Sequence, residues 1–191
     1  MQPSEQDLIE QCIDSQTIAS GGMLTVKRDQ VRLANGHTSQ REYVMHPGAV
    51  LVVPLLPNGN IVLEKQFRYP LHQVFIELPA GKIDAGEDTL LTGQRELEEE
   101  TGYIASHWIS LGHQHPCIGY SNEVIYSYLA YGLSAGIHQP DDDESLIVYD
   151  ASLTDCLAMV QSGEITDGKT IVALFMAEKY LALHPEILQS T

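Results

Sequence analysis

Short runs of alternating or continuous apolar residues, separated by turn-forming residues, occupy the first 80 positions of the chain. Such runs predict β-strands. Asn35-Gly36 and the Pro57–Asn60 segment are strong turn signals between them. The predicted strands lie at residues 23–27, 31–33, 41–45, 49–56, 61–67 and 74–78.

The pattern changes to a helical period after a glycine-rich loop at residues 79–86. A helix is predicted from residues 87–89 to Gly102, with Leu90, Leu91 and Leu97 on its core face. Strands follow at residues 108–113, 124–131 and 146–149, and two helices close the chain, one around residues 153–160 and one at 170–183. This interleaving predicts an α+β fold in which helices cover a mixed β-sheet.

The length of 191 residues suits one domain with a small additional module. His46-Pro47-Gly48 interrupts the strand pattern, so we expect a β-module at residues 1–46 and the main domain at 47–191. The first residues lack a signal-peptide pattern, and the apolar runs are too short to cross a bilayer. Three widely spaced cysteines indicate reduced thiols and a cytoplasmic protein.

The formal charge of −16 argues against nucleic acid or an anionic membrane as a partner. The charge is uneven, since residues 96–191 contain 15 acidic residues and only two basic ones, Lys169 and Lys179. Two interpretations are open. The acidic residues either form a solvated face that aids solubility, or some of them form a site that collects cations.

Three glutamates near the end of the predicted helix favour the cation site. Glu96, Glu99 and Glu100 are three and four residues apart, so they share a helix face, whereas Glu98 points elsewhere. Like charges at this spacing repel, and the negative end of the helix dipole adds to the penalty. A divalent cation would remove both costs, because hard ions prefer carboxylate oxygens.

The surrounding spacing resembles the signature of the Nudix hydrolases: Gly81, five residues, Glu87, seven residues, then the stretch from Arg95 to Gly102. The resemblance implies an α/β/α sandwich that hydrolyses a nucleoside diphosphate linked to another group. It also implies Mg²⁺, with Mn²⁺ as an alternative. The implied metal ligands are Glu96, Glu100, the Ala80 carbonyl, and Glu99 directly or through water. Arg95 is implied to orient the glutamates, and Glu87 to support the loop or to take part in catalysis.

Flanking stretches resemble the ADP-ribose pyrophosphatase subgroup, namely Arg41-Glu42, residues 46–50, 66–70, 77–82 and 163–170. The resemblance implies a homodimer whose N-terminal module exchanges between subunits and helps to form the adenine pocket. Arg68 is then expected to bind the diphosphate, Arg41 the nucleotide, and Glu123 the terminal ribose. In the acidic loop, Glu144, or else Asp142, is expected to act as the general base or as a further metal ligand.

The implied reaction is hydrolysis of ADP-ribose to AMP and ribose 5-phosphate. One departure leaves the substrate open: Pro116 lies closer to the signature than the proline that marks ADP-ribose specificity. GDP-mannose and ADP-glucose are therefore alternative substrates, and a non-catalytic nucleotide sensor is a third alternative. His113 and His115 also allow a zinc site, against the simpler reading of histidines on a strand surface.

Overall fold

The computed structural model describes residues 4–139 and 145–189. The chain divides into two units. The first contains residues 4–47 and 117–123, and the second contains the other described residues. We describe each unit separately.

The first unit is an antiparallel sheet of three strands in the order β1-β2-β3. The strands are β1 (Gln11–Ser20), β2 (Thr25–Arg32) and β3 (Thr38–Met45), preceded by a 3₁₀ turn at Glu5–Leu8. The predicted Asn35-Gly36 hairpin turn is confirmed, and Gly36 has a φ of 83°, which favours glycine. Two predictions were incomplete: residues 25–32 form one continuous strand, and β1 was not predicted because all ten of its residues are exposed.

The second unit contains two sheets and three helices. A four-stranded mixed sheet has the order β7-β4-β9-β8, and a three-stranded antiparallel sheet has the order β10-β5-β6. The strands are β4 (Ala49–Pro54), β5 (Asn60–Arg68), β6 (Gln73–Glu77), β7 (Ala80–Lys82), β8 (Tyr103–Gln114), β9 (Ile125–Ala135) and β10 (Leu146–Ser152). The helices are α1 (Thr89–Thr101), α2 (Leu153–Ser162) and α3 (Gly168–Leu183), and 3₁₀ turns lie at Tyr69–Leu71 and Ile187–Gln189.

Strand β4 explains how the layers form, because its alternate side chains enter two different cores. Val50 and Val52 pack with Leu97 of α1. Leu51 and Val53 belong to the larger core that includes Leu174 of α3. Successive side chains of a strand point to opposite faces, so α1 and α3 cover opposite faces of the mixed sheet. This arrangement confirms the predicted α/β/α sandwich.

Helix α1 begins and ends as predicted. The Asp88 side chain accepts a hydrogen bond from the Leu90 N–H (2.9 Å), and Gly102 ends the helix with a φ of 71°. The predicted core face was wrong in one position, because Leu91 is 57 % exposed. The helix instead buries a largely polar face, with members Thr92, Gly93, Glu96, Leu97, Glu100 and Thr101.

The predicted loop at residues 79–86 contains a short strand, β7, which pairs with β4. This strand places Ala80 and Gly81 beside the buried face of α1, where Ala80 donates to Glu100. All three cysteines are free: Cys12 is exposed, Cys117 is half-buried and Cys156 is buried. Within the described part of the chain, no helix is long and apolar enough to span a membrane.

Candidate active site

The glutamates of α1 meet the β7 backbone at the edge of the mixed sheet. Glu96 is 9 % exposed and Glu100 is 2 % exposed, whereas Glu99 is half-buried. Glu100 Oε2 accepts a hydrogen bond from the Ala80 N–H (2.9 Å). The Glu96 carboxylate lies against Gly81, where a Cβ atom would be 1.8 Å from Glu96 Cδ. Glu96 and Glu100 are thus buried carboxylates packed on the backbone of residues 80–81.

Arg95 links the glutamates to one another. Its Nη1 donates to Glu96 Oε1 (2.8 Å) and to Glu99 Oε2 (3.1 Å). Its Nε and Nη2 donate to the two oxygens of Glu87, at 3.2 Å and 3.1 Å. The hydrogen bond to Glu87 is the largest of the contacts that raise the pKa of Arg95 above its ordinary value. The arginine therefore stays charged and fixes the orientation of three carboxylates, as charge-assisted hydrogen bonds do.

Glu87 holds the loop that precedes α1. Besides Arg95, it accepts from Thr92 Oγ1 (2.8 Å) and from the Asp84 N–H (3.3 Å). The hydrogen bond from Arg95 is the main reason that the pKa of Glu87 falls to about 2. Of the two roles that the sequence left open for Glu87, these contacts favour support of the loop.

Glu98 differs from its neighbours in direction. Its Oε1 accepts from the Ile137 N–H (3.1 Å), away from the Arg95 contacts. The expectation that Glu98 points elsewhere is therefore confirmed. Glu98 makes a useful comparison for the other glutamates, because it is a carboxylate of the same helix with a different partner.

The donors beside β7 fit a hard divalent cation in their chemistry, since carboxylate and carbonyl oxygens are the ligands that Mg²⁺ prefers. Two of the three predicted carboxylates are buried: Glu100 contacts the Ala80 backbone, and Glu96 contacts Gly81. Within residues 4–139 and 145–189, no three Asp, Glu, His or Cys side chains converge in the arrangement of a metal site. Arg95 holds oxygens of Glu96 and Glu99 in the present arrangement. The assignment of Ala80, Glu96, Glu99 and Glu100 as ligands is therefore a proposal.

A second cluster of charged groups lies between β5, β6 and the start of α3. Arg68 donates two hydrogen bonds of 2.7 Å to the buried Glu77 carboxylate, from Nε to Oε1 and from Nη2 to Oε2. Lys169 also donates to Glu77 Oε2, and it pairs with Asp167 at 3.0 Å. Burial raises the pKa of Glu77, but the hydrogen bond from Arg68 and the charge of Lys169 outweigh this effect, so the pKa is lowered.

The two hydrogen bonds to Glu77 determine which part of Arg68 can contact another molecule. The Nε and Nη2 edge faces Glu77, and the side chain as a whole is 40 % exposed. Among the described residues, Arg68 Nη1 has no hydrogen-bond partner. Glu77 therefore sets the orientation of the Arg68 guanidinium, and Nη1 of Arg68 is available to a ligand.

The first unit contains two of the predicted substrate residues. Arg41 donates to both oxygens of Glu10, with Nε at 2.9 Å from Oε2, and also to Ser39 Oγ (2.9 Å). Glu123 Oε1 lies 3.6 Å from His46 Nδ1. The segment that carries Glu123 is joined to β3 through Val44, whose N–H donates to the Tyr120 carbonyl (2.8 Å) and whose carbonyl accepts from the Asn122 N–H (3.3 Å). Glu144 and Asp142 lie outside the described residues.

Sequence reasoning assigned no role to Glu77, Asp167 or Lys169. The sequence did contain a signal for these residues, because they belong to two of the stretches that resemble the subgroup, residues 77–82 and 163–170. Glu77 is far from Asp167 and Lys169 along the chain, however, and only the tertiary fold brings the start of α3 to the end of β6. The structure does not support the alternative of a zinc site at His113 and His115. Their ring centroids are 5.4 Å apart, and no described His, Cys, Asp or Glu side chains complete a metal site around them.

The chain is similar to several known proteins. The chain is 38 % identical over 187 residues to an ADP-ribose pyrophosphatase of Bacillus subtilis, covering 97 % of this chain and 98 % of that protein. It is 39 % identical over 172 residues to a methanol dehydrogenase activator of Bacillus methanolicus, covering 86 % and 90 %. A crystal structure of an ADP compounds hydrolase has the same fold, with a TM-score of 0.84, 21 % identity and coverage of 92 % of this chain and 95 % of that one. The NUDIX domain model matches residues 45–167, and this chain belongs to the NUDIX domain family.

Proposed function

We propose that this protein hydrolyses the diphosphate bond of ADP-ribose, releasing AMP and ribose 5-phosphate. The observation that carries the proposal is the Arg95 contact set, which orients Glu96 and Glu99 beside the Gly81 backbone that Glu96 touches. The full-length similarity to an ADP-ribose pyrophosphatase supports ADP-ribose as the substrate.

Glu96, Glu99, Glu100 and the Ala80 carbonyl would hold Mg²⁺, or Mn²⁺ in its place. Bound there, the ion would supply charge compensation for the diphosphate and activation of water. Arg95 keeps the carboxylates in position, and Arg68 offers Nη1 to a diphosphate oxygen. We assign the general base to Glu144, with Asp142 as the second candidate.

The first test is AMP release from ADP-ribose in the presence of Mg²⁺, compared between the wild type and Glu100→Gln. We expect the substitution to lower kcat/KM by at least about 100-fold, because metal-assisted stabilisation of charge contributes several kcal/mol. Glu98→Gln is the matched control, since it changes a carboxylate of the same helix that binds the Ile137 N–H. Full turnover by Glu100→Gln would refute its role as a ligand.

A substrate panel tests the choice of sugar. We expect ADP-ribose to have a higher kcat/KM than GDP-mannose and ADP-glucose, because discrimination between substrates is expressed in that ratio. A higher ratio for either competitor would transfer the proposal to that substrate. The same panel tests the sensor alternative, which the name of the Bacillus methanolicus relative makes relevant. Nucleotide binding in calorimetry without hydrolysis of any substrate would favour a sensor.

We also propose that the N-terminal module, residues 1–46, joins two copies of the chain and contributes Arg41 to the nucleotide pocket. The supporting observation is β1, an edge strand whose ten residues are all exposed, including Ile13 and Ile18. A sheet of three strands needs a covered apolar face to be stable, and a second copy would supply the cover. Light scattering should give the mass of a dimer, and a monomer at micromolar concentration would contradict this proposal.

We place the protein in the cytoplasm. The proposal rests on the three cysteines, which are free and, in the case of Cys12, exposed. Thiols persist in this state in a reducing compartment. Fractionation of the source cells, with activity against ADP-ribose as the readout, tests the location.

A further inference from the structure

The stretch at residues 163–170 contains the start of α3, and its polar side chains make contacts that a helix start does not require. Asp167 caps the helix by accepting from the Thr170 N–H (3.1 Å). Lys169, the residue before Thr170, pairs with the buried Glu77 of β6. The Lys169 side chain is 16 % exposed, so its charge is mostly withdrawn from water and needs this partner.

Glu77 is shared by two cations from different elements. Arg68 of β5 binds both of its oxygens, and Lys169 of α3 also binds Oε2. The two hydrogen bonds fix Arg68 and Glu77 relative to each other, but the pair can still move as a unit about the side-chain torsions of Glu77. The contact of Lys169 with Oε2 ties this pair to α3 and restrains that movement. Lys169 therefore determines the orientation of the pair that Glu77 forms with Arg68.

A second contact from the same helix start holds the adjoining backbone. Thr170 Oγ1 accepts a buried hydrogen bond of 2.9 Å from the Leu78 N–H. Leu78 follows Glu77 directly and lies two residues before Ala80, whose N–H binds Glu100. The start of α3 thus fixes both the side chain and the backbone at the end of β6.

We propose that Lys169 is a positioning residue for Arg68: by holding Glu77, it keeps the Arg68 guanidinium in the orientation that offers Nη1 to the substrate diphosphate. This inference rests on the proposed function, because it takes Arg68 as the arginine that meets the diphosphate. Lys169 itself does not touch the substrate in this proposal, and its effect passes through Glu77.

The test is a double-mutant cycle of Lys169→Met and Arg68→Met. The first readout is the Kd of ADP-ribose, measured by calorimetry with EDTA present so that no hydrolysis occurs. We expect each single substitution to weaken binding by about 10- to 100-fold, the effect of losing a charged hydrogen bond. We expect the double variant to bind no more weakly than Arg68→Met, because Lys169 acts only through Arg68.

Steady-state kinetics with Mg²⁺ give the second readout. Lys169→Met should raise KM more than it lowers kcat, since a misplaced diphosphate donor weakens substrate binding. A merely structural role would instead reduce the fraction of active enzyme and lower kcat at unchanged KM. Lys169→Arg should recover most of the lost affinity, because it restores a charged donor to Glu77. Lys179→Met, an exposed lysine of the same helix, is the matched control.

The possible results separate this inference from the proposed function. If the two single effects multiply in the double variant, or if Lys169→Met leaves both Kd and KM unchanged, Lys169 does not position Arg68. If Arg68→Met leaves the Kd unchanged, the role of Arg68 fails and this inference fails with it. In all of these cases the proposed function stands as long as the wild type hydrolyses ADP-ribose. Failure of the wild type to bind or hydrolyse ADP-ribose would overturn both.

Discussion

Gly81 and Glu96 are in such close contact that the Glu96 carboxylate occupies the space that any larger residue at position 81 would need. A Cβ atom there would lie 1.8 Å from both Cδ and Oε1 of Glu96. The φ angle of Gly81 is not positive, so its backbone conformation does not require glycine. The need for a glycine comes instead from the close approach of the Glu96 side chain. The first glycine of the signature makes room for one of its glutamates.

We predict that Gly81→Ala displaces the Glu96 carboxylate without unfolding the protein. The clash involves the far end of a flexible side chain, so Glu96 can move while the backbone stays in place. Because displacement of a reacting group by about 1 Å can cost 100-fold in rate, we expect kcat/KM for ADP-ribose to fall by about that factor. The thermal unfolding midpoint should change little. Gly22→Ala is the control, since nothing lies within 4 Å of a Cβ atom at that position. Equal activity in the two variants would contradict the prediction.

We predict that Glu87 makes the stability of the protein sensitive to acid. The pKa of Glu87 in the folded protein is about 2, compared with an ordinary value of 4.5, chiefly because Arg95 hydrogen-bonds to it. A group whose pKa is lowered by folding stabilises the protein above its unfolded-state pKa, and this contribution disappears as the pH falls through the folded-state pKa. The window is therefore from about pH 4.5 down to about pH 2.

Urea unfolding of the wild type and of Glu87→Gln, at several pH values from 7 to 3, measures this effect. The wild type should be the more stable protein at pH 7, and the difference in unfolding free energy should shrink as the pH falls below about 4.5. Other carboxylates affect both proteins alike and cancel in the comparison. A difference that is the same at pH 7 and pH 3 would show that the Glu87 carboxylate is not responsible.

We predict that Thr170→Val destabilises the fold by about 1–3 kcal/mol, the cost of leaving a buried donor without its acceptor. Thr170 is fully buried, and its Oγ1 accepts from the Leu78 N–H at 2.9 Å. Valine has the same shape but no oxygen. Thr170→Ser is the matched control, because it retains the hydroxyl and loses only a methyl group. If denaturant titration shows the serine variant to be the less stable of the two, packing of the methyl group matters more than the hydrogen bond.

We predict that Cys156 is inert to thiol reagents in the folded protein. It is fully buried, and burial is the main cause that raises its pKa to about 11. The thiolate is the reactive form, so a maleimide at pH 7 should modify the exposed Cys12 and leave Cys156 intact. Mass spectrometry of proteolytic peptides distinguishes the sites, and denaturant should make both reactive. Native labelling of Cys156 at the rate of Cys12 would show that the core around α2 opens readily.

The architecture of the main domain could be read from the sequence because its elements carry strong local signals. The β-rich apolar runs at residues 49–56 and 61–67 predicted β4 and β5, and the helix was predicted to start near residues 87–89 and to end at Gly102, close to the observed ends of α1. Strand β1 was not predicted because neither of its faces is buried, so its sequence does not alternate between apolar and polar residues. Leu91 was misplaced because α1 buries a polar face against β7, and hydrophobicity alone points to the wrong side of the helix.

The sequence by itself determined the family signature, from Gly81 and Glu87 to Glu100, which contains the residues that we propose as metal ligands. A signature of this kind lies within one loop and one helix, so its spacing is fixed by local geometry and can be read along the chain. Only the tertiary structure decided that Glu87 ties Arg95 to the loop and that Arg68 meets a carboxylate held by Lys169. Glu77 and Lys169 are separated by 92 positions, and only the tertiary fold, which brings the start of α3 to the end of β6, places their charges in contact.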